Sequence, residues 1–90
     1  MDKYRIAEAD KYFDKVNSKE FGRLYQKISE DVYPILRRNP FFGPNIKKLK
    51  GKYKGVYRFR TGDYRLFYKI EKFELIVFMF DIESRQGAYK

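Results

Sequence analysis

The chain has 90 residues and carries 21 lysines and arginines against 12 aspartates and glutamates, a formal net charge of +9. It contains no cysteine and no histidine, which excludes disulfides, thiolate and imidazole zinc sites, Ser-His-Asp triads and histidine acid–base chemistry. Nine Tyr and nine Phe provide enough aromatic surface for one efficiently buried domain, residues 1–90.

Lys3–Ile6 reads as a short strand. Ala9, Tyr12, Phe13 and Val16 fall at helical spacing, and Asn17 with Glu20 has the form of a capping box for a second helix. That helix carries Phe21, Leu24, Tyr25, Ile28 and Val32 on one face, and Pro34 predicts a kink or an early end. The aromatics on both helices are expected in the core. Residues 39–46 form a loop by their turn residues, and Lys47–Gly55 reads as an exposed basic connector. Val56–Arg60 and Tyr64–Ile70 flank Thr61-Gly62 as a hairpin, Phe73–Phe80 suits a central strand covered on both faces, and Asp81–Lys90 is a polar tail. The fold class is therefore α+β: a short N-terminal strand and two amphipathic helices on one face of a mainly antiparallel four-stranded sheet. The first sixteen residues are too polar for a signal peptide, and no apolar run approaches the roughly 18 residues of a membrane span, so a cytoplasmic location without membrane contact is expected.

The charge is not spread evenly. Residues 32–62 contain Arg37, Arg38, Lys47, Lys48, Lys50, Lys52, Lys54, Arg58 and Arg60 and no acid, whereas acids and bases balance on either side. Such a block is suited to a polyanion and predicts salt-sensitive association with phosphate. With a two-residue loop at Thr61-Gly62, Arg58 would oppose Arg65 across the hairpin. One face would hold Tyr57, Phe59, Tyr64, Leu66 and Tyr68; the other would hold Arg58, Arg60, Arg65 and Lys69, with Lys54 extending it by parity. Opposed arginines suggest an anion between them; a solvated basic face is the plainer alternative. Arg85 and Tyr89 form a second pair suited to clamping a phosphate and stacking on a base, or else lie in a frayed tail.

The runs Ile46-Lys-Lys-Leu-Lys-Gly51, Gly55-Val-Tyr-Arg58, Gly62-Asp-Tyr-Arg65-Leu-Phe-Tyr68 and Phe80-Asp-Ile-Glu-Ser-Arg85-Gln-Gly-Ala-Tyr89 resemble the RelE/ParE superfamily of bacterial and archaeal toxins over nearly the whole chain. The resemblance to its RelE-like branch implies an endoribonuclease that cuts messenger RNA in the ribosomal A site. The implied reaction is attack of a ribose 2′-OH on the adjacent phosphate, without metal or other cofactor. It implies an acidic antitoxin as partner, and contact with operator DNA only through the antitoxin complex. By motif position, Arg65 and Arg85 would stabilise phosphorane charge, with Arg85 also placed to protonate the leaving oxygen. Tyr89 would position the nucleotide, and Arg58 takes a basic strand position. Lys47, Lys48, Lys50, Lys52 and Arg60 would contact RNA and ribosome. The chain departs from the family at Val56, where a lysine general base is usual; Lys54, then Lys52, is the expected substitute. Lysine's ordinary pKa near 10.4 would need lowering by neighbouring cations to serve as a base. The same resemblance also allows a ParE-like inhibitor of DNA gyrase, and the basic block alone allows a non-catalytic RNA-binding module.

Overall fold

The computed structural model describes residues 3–84. Its elements run β1 (Arg5–Glu8), α1 (Asp10–Val16), α2 (Leu24–Lys27), a π turn (Ile28–Val32), α3 (Tyr33–Arg38), β2 (Ile46–Lys48), a short 3₁₀ turn (Gly51–Tyr53), β3 (Tyr57–Thr61), β4 (Tyr64–Glu71) and β5 (Ile76–Ser84). The strands form one sheet in the order β1-β5-β4-β3-β2, antiparallel except for the parallel β1–β5 pair. The expected α+β arrangement is present, with a fifth strand because Ile46–Lys48, the last residue of the expected loop and the first two of the expected connector, pairs with β3.

The helices cover one face. Tyr12, Val16, Phe21, Ile28, Val32, Tyr33 and Leu36 pack against Tyr57, Phe59, Leu66, Tyr68, Val77, Met79 and Ile82. The strand residues alternate, as period two requires for a sheet covered on one side. Polar groups inside this core are paired. Tyr25 and Tyr33 donate to Glu8 Oε2 at 2.8 and 2.6 Å. Tyr33 has spent its proton on Glu8, so Tyr12 donates in the 2.7 Å bond between their hydroxyls. Tyr68 donates to the carbonyl of Pro40 at 2.7 Å. Burial raises the hydroxyl pKa values of Tyr12, Tyr33 and Tyr68 above the ordinary range.

Three local expectations are corrected. Asn17 does not start the second helix but ends α1, where its side-chain amide donates to the Phe13 carbonyl at 2.8 Å. Turns then fill residues 18–23 before α2. Pro34 does not end the helix, which continues to Arg38. Proline lacks the N–H for the bond four residues back and crowds that carbonyl, and the wider π turn just before it relieves both. The strand drawn from Phe73–Phe80 is displaced towards the C-terminus, to Ile76–Ser84, and only one of its faces is covered: Phe78 is 40% exposed, while Phe73 sits in the preceding turn at 96%. Among the described residues no helix is long and apolar enough to cross a membrane.

Candidate functional site

The hairpin turn sets the register of the uncovered face. Gly62 lies at φ +58°, so the two-residue loop is Gly62-Asp63, with glycine at the first central position as a II′ turn demands. The pairing is Thr61↔Tyr64, Arg60↔Arg65, Phe59↔Leu66, Arg58↔Phe67 and Tyr57↔Tyr68. The expected opposition of Arg58 and Arg65 is thus replaced by Arg60 opposite Arg65. The faces are unchanged because the slip moves every pairing by an even step. On β2, Lys47 lies opposite Arg58 and shares its face. Two cross-strand pairs of like charge therefore stand side by side on the face away from the helices, an arrangement unfavourable in isolation.

A cavity of about 330 Å³ opens on this face, lined by Leu49, Tyr53, Val56, Arg58, Arg65, Phe67, Phe80, Asp81 and Glu83. Its walls are largely apolar, which lowers the local dielectric and strengthens guanidinium interactions with an anion. Arg58 Nε is buried and has no hydrogen-bond partner among the described residues. A bulge in β5 shapes the far wall. Phe67 pairs with Asp81 but Tyr68 pairs with Met79, so Phe80 is the extra residue. Phe80 and Asp81 consequently both line the cavity. Asp81 is anchored: its Oδ1 accepts from Lys15 Nζ at 3.0 Å and from the Ile82 N–H at 2.8 Å. Lys15–Asp81 is the one ion pair among the described residues, so the cavity arginines are not neutralised by their acidic neighbours.

The residues singled out in the sequence divide. Arg58 and Arg65 line the cavity, and Arg60 and Lys47 flank it by register. Lys54 does not extend β3. Gly55 at φ +86° and a turn closed by the Val56 N–H on the Tyr53 carbonyl interrupt the strand, so parity cannot carry Lys54 onto the face of Arg58. Lys48 faces the opposite way, its ammonium 6.0 Å from the centre of the Tyr57 ring. Arg37 and Arg38 end α3 on the helical layer, with the Arg37 guanidinium 6.0 Å from the centre of the Tyr33 ring. The basic block, contiguous in sequence, is thus split between the two sides of the sheet. Lys50 and Lys52 are exposed around the 3₁₀ turn. Arg85 and Tyr89 lie outside the described residues. Val56 is 7% exposed and lines the cavity, with no ionisable group to offer.

Sequence reasoning missed Tyr53, Phe80, Asp81 and Glu83. Tyr53 is half-exposed at the cavity, with Lys52 Nζ 5.3 Å from its ring centre. The signal for it was an aromatic embedded in a run of lysines. The acids were read as tail because only the bulge places them beside arginines.

The arrangement can bind an anion through Arg58 and Arg65 while an aromatic and aliphatic surface holds a planar group. No curated protein matches the chain. Among solved structures, the toxin–antitoxin complex RelBE2 of Mycobacterium tuberculosis aligns with TM-score 0.78 at 23% identity, covering 91% of this chain and 98% of that one. The RelE–RelB complex of Pyrococcus horikoshii gives 0.71 at 21%, covering 92% and 96%. The YoeB/ParE toxin of Agrobacterium tumefaciens gives 0.73 at 17%, covering 89% and 96%. These likenesses establish the fold. The family model for the ParE toxin of type II toxin-antitoxin system, parDE, matches residues 5–89. That match spans every strand and helix of the fold, and the chain therefore belongs to the ParE toxin family within the RelE/ParE superfamily, as the toxin of a type II toxin–antitoxin system.

Proposed function

We propose that this toxin is a ribosome-dependent endoribonuclease that cuts messenger RNA in the ribosomal A site. The observation that carries the reading is the placement of Arg58 and Arg65 at one apolar-walled cavity, with Arg60 and Lys47 beside them. In-line attack of a ribose 2′-oxygen on the adjacent phosphorus forms a cyclic phosphate and expels the 5′-oxygen. Negative charge builds on the non-bridging oxygens, and preorganised guanidiniums stabilise it. In this reading Arg65 takes the phosphorane charge, Arg58 binds the same phosphate, and Tyr53 stacks on a neighbouring base. Arg85 and Tyr89 keep the roles implied by the family motif. The proton of the 2′-OH has no lysine acceptor at position 56, so Lys54 or Lys52 must reach in from the turn. Slow chemistry follows, with the ribosome supplying the orientation. The partner is an acidic antitoxin that neutralises this face; the structural relative from Mycobacterium tuberculosis is a toxin–antitoxin complex, and that from Pyrococcus horikoshii a RelE–RelB complex. The location is cytoplasmic.

A second reading is favoured by one observation, the buried Val56 where a base is needed. On it the protein inhibits DNA gyrase without cutting nucleic acid. In-vitro translation of a defined message, mapped by primer extension, separates the two. Under the first reading ribosome-dependent A-site cuts appear, and Arg65→Ala lowers their rate by roughly a hundredfold to a thousandfold. Intact message with blocked supercoiling supports the second.

A further inference from the structure

A cavity that gripped only phosphate would gain nothing from carboxylates, which repel the same ligand. This one has two. Asp81 is accounted for by Lys15 and the Ile82 N–H. Glu83 is not: it lies directly opposite Arg65 in the β4–β5 register, lines the cavity, and pairs with nothing among the described residues. No described residue neutralises its charge, which stands one strand away from the guanidinium that would hold a phosphate. Neighbouring strands are about 4.8 Å apart, so the two side chains can reach opposite ends of one nucleotide. The cavity, about 330 Å³, is at the small end of the range for ligand pockets and suits a single nucleotide.

A carboxylate only accepts hydrogen bonds, and it accepts two in parallel. Among the four bases only guanine presents two adjacent donors, N1–H and the N2 amino group, without an acceptor between them. Adenine and cytosine set one amino group beside a ring-nitrogen acceptor, and uracil flanks one N–H with two carbonyls. Either arrangement leaves a carboxylate oxygen facing a lone pair. Phe80 and Tyr53 supply apolar surface for the face of the base, and the bulge at Phe80 keeps Glu83 on the cavity side.

We infer that Glu83 is a specificity-determining residue, selecting guanine at the nucleotide whose phosphate lies on Arg58 and Arg65. The inference rests on the nuclease reading for its biological setting, but the preference belongs to the cavity and can be measured without cleavage. The test has two arms. In the first, A-site cuts are mapped over a message containing every sense codon, with the wild-type toxin and with Glu83→Gln. In the second, the four ribonucleoside 5′-monophosphates are titrated against both proteins at low salt, following the backbone amides of β3–β5 by NMR. Expected are cuts enriched at guanine and tightest binding of guanosine monophosphate. Glu83→Gln, whose amide offers one acceptor in place of two, lowers the guanine-to-other ratio in both arms by roughly tenfold to a hundredfold. Cutting or binding with no guanine preference overturns the inference, as does a preference that survives Glu83→Gln. If the wild-type toxin cuts nothing, the nuclease reading fails by itself, and the titration alone decides the role of Glu83.

Discussion

Arg60 and Arg65 face each other across β3 and β4, and the sheet bears that repulsion in the absence of a ligand. The register also places Arg65 between Arg60 on one side and Glu83 on the other. Replacing Arg60 by glutamine therefore removes repulsion alone, whereas replacing Arg65 removes repulsion and attraction together. Two unit charges splayed to roughly 8 Å in water interact by about 0.5 kcal/mol. Exposure of Arg60 and side-chain freedom bring the net effect into the range of about 0.2–0.5 kcal/mol. For a domain of this size that gain corresponds to a rise in melting temperature of roughly 1–4 °C. Arg60→Gln should thus be more stable than wild type, and Arg65→Gln close to neutral. The assay is thermal and urea unfolding by circular dichroism in a buffer without phosphate or sulfate, at low salt and again at about 1 M salt, where the screening length drops to about 3 Å. The advantage of Arg60→Gln should vanish at high salt. Added inorganic phosphate should stabilise the wild type more than either variant. If Arg60→Gln is destabilised, or keeps its advantage at high salt, the opposed guanidiniums are not an electrostatic burden and the case for an anion between them fails.

Tyr33→Phe should cost about 1–3 kcal/mol in urea unfolding, because Tyr12 loses its acceptor and Glu8 one of its donors inside the fold. Gly55→Ala should cost roughly 1–2 kcal/mol through backbone conformation alone, since φ is +86° and nothing lies within 4 Å of the added methyl. Lys15→Ala should change stability by less than about 1 kcal/mol, its pair with Asp81 being more than a third exposed on both sides. Tyr12, Tyr33 and Tyr68 have hydroxyls raised above their ordinary value of 10.0 by burial. The folded state thus favours the protonated form, and the stability this contributes is whole below pH 10 and lost as pH rises beyond it. Alkaline titration should show a late, cooperative rise in tyrosinate absorbance coincident with loss of circular dichroism; three separate non-cooperative steps would contradict the buried network.

The sequence made the layer arrangement legible because its signals were periodic. Helical spacing at Tyr12 and Val16, and alternation through Tyr57–Tyr68, each chose the core side correctly. Even the misplaced hairpin loop left every side chain on its proper face, because the slip was even. What failed depended on single backbone conformations. The strand through Lys54 is broken by one glycine at positive φ. The capping box at Asn17 lost to the end of the preceding helix, since the same side chain serves either terminus. The three residues of β2 carry two lysines and no alternation, so a strand there is visible only once β3 offers its edge. The candidate site was half legible: its arginines are encoded by the pattern, its acids by a bulge that no periodicity announces.

That bulge also governs how the C-terminal half of β5 tolerates change. Val77, Met79 and Ile82 point into the core although 79 and 82 differ in parity, because Phe80 adds one residue to the count. Loss of the Phe80 codon would restore an uninterrupted ladder with Met79 and Ile82 still inward and Asp81 and Glu83 still on the cavity face, so the fold would lose only the Phe80 wall of the cavity. Substitutions at 80, 81 and 83 leave the core untouched, and so does removal of Phe80. The acidic wall of the cavity can therefore change residue by residue, or lose its bulge, without disturbing the layer beneath it.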